Sequence, residues 1–121
     1  MPGKPGNRFK VLVVDDEPDL ADISAALLRH FGFESTAAYS AADALDILKS
    51  RPDMDAIFSD VMMPGMDGLE LAESVVILYP AVKVVLTSGF TRPDFWNKQT
   101  RPFRFAPKPY AIDQIISLLT A

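Results

Sequence analysis

Cysteine is absent from the 121 residues. That removes disulfides, thiol catalysis and cysteine metal sites. A basic excess is missing too: the formal net charge is −4. Nothing is in surplus to neutralise a phosphate backbone, so direct nucleic-acid binding is not expected. No apolar run approaches the length of a membrane span. The polar start, MPGKPGNR, carries no visible secretory leader. These absences point to a cytoplasmic chain without membrane contact. Histidine occurs once, at His30. It sits at the edge of an apolar stripe and reads as structural.

What is present suits a packed domain. Hydrophobic residues make up 49% of the chain, too many for a disordered one. The expected layout is a flexible tail over 1–7 and one domain over 8–121, with no internal repeat. Phe9 to Val14 is a β-branched apolar run without clean alternation, as in a parallel strand covered on both faces. Pro18 opens a helix, and Leu20, Ile23, Leu27, Leu28 and Phe31 form its apolar stripe. Gly32 ends it. Phe33 to Tyr39 is a second strand, and Ser40 caps a second helix with Asp43 at its favourable end.

The third strand runs from Ala56 to Ser59 and leads into the loop DVMMPGMDG, Asp60 to Gly68. Asp67 and Glu70 have capping-box spacing for a helix over Leu69 to Tyr79. Val82 to Leu86 is the fourth strand and ends at Thr87. Pro93 and Pro102 bracket room for one short helix. Phe103 to Ala106 is the fifth strand, and Pro107-Lys108-Pro109 is a stiff turn. Ile112, Ile115, Ile116 and Leu119 mark a last amphipathic helix. Strand and helix alternate five times, which predicts a doubly wound parallel sheet with helices on both faces.

Such a sheet gathers its strand C-termini on one edge, where ligands bind. Strand one brings Asp15 and Asp16, strand three Asp60, strand four Thr87, and strand five is followed by Lys108. Singly, each has an ordinary explanation. The acidic pair can serve a helix N-terminus, Thr87 a turn, and Lys108 solvent. Together they are a site. Crowded carboxylates repel unless a cation neutralises them, and Mg²⁺ takes one or two carboxylates with waters and a phosphate oxygen. A carboxylate can also act as a nucleophile towards phosphorus. A metal, a lysine and a hydroxyl supply the charge neutralisation that phosphoryl transfer needs.

These residues resemble the receiver domain of two-component response regulators. The carriers are VVDDEP with Asp15 and Asp16, DVMMPGMDG with Asp60, LTSG with Thr87 and PKPY with Lys108. TSGF with PKPY is similar to receivers that stand alone or lie within hybrid kinases. The resemblance implies a flavodoxin-like five-stranded sheet in the order 2-1-3-4-5. It implies that Asp60 accepts a phosphoryl group from a sensor histidine kinase or a histidine phosphotransfer protein. It implies Mg²⁺ held by Asp15, Asp16, Asp60 and the backbone carbonyl of Met62, with Asp15 acting mainly through water. Lys108 would pair with the phosphoryl oxygen. Thr87 and Phe105 would form the switch, and the Lys108–Pro109 bond would be cis. Output would pass to an unknown protein, from a monomer or a weak phosphorylation-dependent dimer, rather than through enzymatic turnover.

The chain departs from the pattern in places. Phe105 has no hydroxyl, Gly89 has no acidic side chain, and Met62 has no polar group to position water. The aromatic and basic segment Phe90 to Phe105 is unusual, with Trp96 as a candidate docking residue. Leu118 lies off the last helix's stripe. Two other readings compete. A phosphohydrolase of the haloacid dehalogenase type expects a second aspartate where Met62 stands, and it usually needs a cap domain. A pseudo-receiver that only binds partners would not need Asp15, Asp16, Asp60, Thr87 and Lys108 together.

Overall fold

A computed structural model describes residues 8–89 and 103–121. The expected tail over 1–7, the short helix between Pro93 and Pro102, and Trp96 lie outside the described residues. The strands are β1 (Lys10–Val14), β2 (Glu34–Ala38), β3 (Ala56–Asp60), β4 (Lys83–Ser88) and β5 (Arg104–Pro107). The helices are α1 (Pro18–His30), α2 (Ala41–Ser50), α3 (Gly68–Leu78) and α4 (Ile112–Thr120). All strand pairs are parallel, in the order β2-β1-β3-β4-β5. This is the expected order.

The sheet separates two apolar layers, because successive strand residues point to opposite faces. Leu12 and Val14 join the cluster covered by α2 and α3, with Leu48, Leu71 and Val75. Val11 and Val13 join the cluster covered by α1 and α4, with Leu28, Ile115 and Leu119. β3 lies between β1 and β4 and is buried at every position. Hence its run has no polar alternation. Leu118, expected to be off the stripe, is half-buried and packs against the second cluster.

Local chemistry sets the helix ends. The Ser40 side chain accepts the Asp43 N–H at 3.0 Å. Asp67 and Glu70 form the full capping box, at 2.9 and 3.1 Å. Gly32 follows α1 at φ +96°, a conformation that glycine adopts without a Cβ clash.

The apolar stripe expected on α1 is mostly not the buried one. The face against the sheet is Ala21, Ala25 and Leu28. Leu20, Ile23, Leu27 and Phe31 are 41–56% exposed. The physical reason is size. Small Ala21 and Ala25 face the sheet with Leu28, and the bulkier Leu20, Ile23, Leu27 and Phe31 are turned outward.

Candidate functional site

Each strand delivers its residue to the same edge. Asp15 and Asp16 follow β1, where the Asp15 N–H donates to the Ala38 carbonyl at 3.1 Å and extends the β1–β2 ladder. Asp60 ends β3 and is the register partner of Thr87 on β4. The ladder runs one step further, since the Val61 N–H donates to the Thr87 carbonyl at 3.0 Å. The Lys108 N–H donates to the Ser88 carbonyl at 2.9 Å. That bond ties the turn after β5 to the end of β4. The Lys108–Pro109 peptide is cis.

One carboxylate oxygen from each of Asp15, Asp16 and Asp60 lies within 4.8 Å of the others. Lys108 Nζ donates to Asp60 Oδ2 at 2.9 Å. The other oxygen, Oδ1, accepts the Met62 N–H at 3.1 Å. Asp15 Oδ1 accepts the Glu17 N–H at 3.0 Å. Asp60 is only 8% exposed, so these contacts sit where water screens them poorly. Burial pushes the Asp15 carboxyl above its ordinary value. The Asp60 charge adds to this, against the Glu17 N–H and Lys108. Burial would lower the Lys108 ammonium, but the hydrogen bond to Asp60 and the charges of Asp60 and Asp15 outweigh it and hold it up.

Thr87 Oγ1 is buried without a hydrogen-bond partner among the described residues. An orphaned buried hydroxyl costs free energy, so its place beside Asp60 suits a group that arrives during function. Three carboxylates crowded together form an all-oxygen set for a hard divalent cation. Donors and anions therefore fit a metal and a phosphoryl group side by side. Phe105 pairs in register with Leu86, one step before Thr87. It is half-buried against the cluster under α2 and α3.

All five side chains singled out in the sequence meet at this edge. Three supporting features were not anticipated. The Ser59 hydroxyl donates to the Asp60 carbonyl at 2.9 Å. Tyr110 packs edge-on against Phe58, with ring centroids 5.4 Å apart. Gly68, at the first turn of α3, is buried directly behind Asp60. A glycine just after an N-cap was the one sequence signal available for the last of these.

Known proteins agree with this geometry. Residues 11–120 match the family model described as the response regulator receiver domain. A protein of Rickettsia bellii named response regulator NtrX-like is 33% identical over 113 residues. That alignment takes in 90% of this chain and 23% of the relative, so the chain spans about a quarter of that relative's length. A receiver domain protein from Clostridium thermocellum superimposes with a TM-score of 0.84 at 23% identity, covering 91% and 90% of the two chains. The receiver domain of the hybrid histidine kinase CckA gives 0.73 at 29% identity, covering 89% and 93%. With the family model spanning nearly its whole length, this chain belongs to the response regulator receiver domain family.

Proposed function

We propose that the chain is a phosphoacceptor switch in which Asp60 takes a phosphoryl group from a phosphohistidine on a sensor kinase or phosphotransfer protein. The observation that carries the reading is the pairing of the three-carboxylate cluster with Lys108 Nζ, 2.9 Å from Asp60. An Asp60 carboxylate oxygen attacks phosphorus in line. The P–N bond breaks, its electron pair stays on the imidazole nitrogen, and an aspartyl phosphate forms. Asp15, Asp16, Asp60 and the Met62 carbonyl would hold Mg²⁺, which supplies neutralisation of phosphoryl charge. Lys108 leaves the carboxylate oxygen for a phosphoryl oxygen. Thr87 Oγ1 gains there a partner that it lacks among the described residues. Phe105 then repacks as the Thr87 side chain moves, which changes the surface offered to an output protein.

The donor's approach has a natural surface. A groove of about 540 Å³ runs from Asp15 and Lys108 along Leu20, Ile23 and Leu27. It carries the exposed α1 side chains up to the acceptor, so an apolar helix bearing a histidine would lie on it. Among the described residues, no helix is long and apolar enough to cross a membrane.

Intact-mass measurement with Mg²⁺ and a small phosphoryl donor tests the reading. Wild type should gain one phosphoryl group and Asp60→Asn none. Gain by both moves the site elsewhere, and steady turnover of the donor without a retained phosphoryl group favours a phosphohydrolase.

A further inference from the structure

We infer that Gly68 is a positioning residue for the acceptor turn: the missing side chain there lets α3 hold the Asp60–Val61–Met62 backbone in its metal- and phosphoryl-competent place. The inference rests on the function proposed above. A Cβ on Gly68 would overlap the Asp60 carbonyl oxygen. It would also stand 2.8 Å from Val61 Cα and 2.9 Å from the Asp60 carbonyl carbon. All three are backbone atoms, which cannot swing aside as a side-chain tip can. Two other glycines near this edge contrast with it: a Cβ at Gly65 or Gly89 would meet nothing within 4 Å.

Neither partner in this contact can easily retreat. α3 is anchored by its capping box and by buried Leu71, Ala72 and Val75. On the other side, the Val61 N–H is held by the Thr87 carbonyl at 3.0 Å. The Ser59 hydroxyl holds the Asp60 carbonyl at 2.9 Å. The Gly68 N–H closes the clamp by donating to the Val61 carbonyl at 2.9 Å. A side chain at 68 would therefore move the turn. Displacing Val61 displaces Met62, whose N–H holds Asp60 Oδ1 at 3.1 Å. The carboxylate and the Met62 carbonyl would shift together.

The test compares Mg²⁺ titrations by calorimetry on wild type, Gly68→Ala and Val75→Ala. Val75 is buried in the same helix but far along it from the turn. Gly68→Ala should weaken Mg²⁺ binding by about tenfold or more, as changes behind a metal site do, and should slow phosphorylation. Val75→Ala should lower the thermal midpoint and leave Mg²⁺ affinity alone. Unchanged Mg²⁺ affinity in folded Gly68→Ala overturns the inference, as does equal weakening in Val75→Ala. Amide exchange on wild type decides the case if Gly68→Ala does not fold. Coupling is reciprocal, so saturating Mg²⁺ should slow Gly68 amide exchange by about fivefold or more, and an unchanged rate overturns the inference. Wild type that binds Mg²⁺ but takes no phosphoryl group defeats the proposed function and leaves the positioning role standing. Wild type that binds no Mg²⁺ defeats both.

Discussion

Asp60 and Thr87 are register partners on adjacent parallel strands, and the amide after Asp60 donates to the Thr87 carbonyl. The acceptor and the buried hydroxyl are thus held by one ladder. Asp60 is tied through the next amide to the residue whose side-chain hydroxyl has no partner among the described residues.

That hydroxyl gives a prediction of unusual sign. Thr87→Val removes a buried group that has no partner among the described residues and nearly keeps its shape. Urea unfolding should show the unmodified protein unchanged or more stable, by up to about 1 kcal/mol. Phosphorylated Thr87→Val should lose the amide shift changes that wild type shows on β4 and β5.

Lys108 is expected to act in the chemistry rather than in the fold. It is half-buried and ion-paired to Asp60. Lys108→Ala should slow phosphorylation from a small donor by about 10²-fold, the scale for losing one preorganised donor. A time course of intact mass at saturating Mg²⁺ measures it, and a rate equal to wild type would remove Lys108 from the site.

The crowded carboxylates should destabilise the metal-free protein. Asp15→Asn keeps the acceptor for the Glu17 N–H and removes one charge. Without Mg²⁺ its thermal midpoint should rise, by about 4 °C if relief is about 1 kcal/mol. With Mg²⁺ the order should reverse, because wild type gains more from binding. A midpoint that falls in metal-free buffer would argue that crowding is not costly here.

Met62 is 61% exposed, and Gly89 is exposed with no side chain. Neither offers a group to orient water towards the aspartyl phosphate. The phospho-form should be long-lived, and Met62→Ala or Gly89→Ala should leave its decay unchanged. A sharply longer lifetime in either variant would show that the position already assists hydrolysis.

The two faces of α1 should separate stability from transfer. Leu28→Ala should cost about 2–5 kcal/mol in urea unfolding. Ile23→Asp should unfold like wild type and react normally with a small donor. Its transfer from a phosphohistidine protein should fall by about tenfold or more. Equal transfer would move the docking surface off this groove.

The same helix shows how far the residues could be read without coordinates. Asp15, Asp16, Asp60, Thr87 and Lys108 were legible because each follows an apolar run, and a parallel sheet puts such ends together. The capping box at Asp67 and Glu70 and the Ser40 cap were legible because they are local. The face of α1 was not. Ala21, Ala25 and Leu28 and the row of larger residues both repeat at helical spacing, and side-chain size drew attention to the wrong row. Gly68 was hidden for a related reason. What it contributes is room, and room between a helix and a neighbouring strand end exists only in three dimensions.

The five site residues are spread from Asp15 to Lys108. During synthesis the three carboxylates emerge first and the ammonium last. Until the turn after β5 docks on Ser88, Asp60 has its acid neighbours without the Lys108 ammonium.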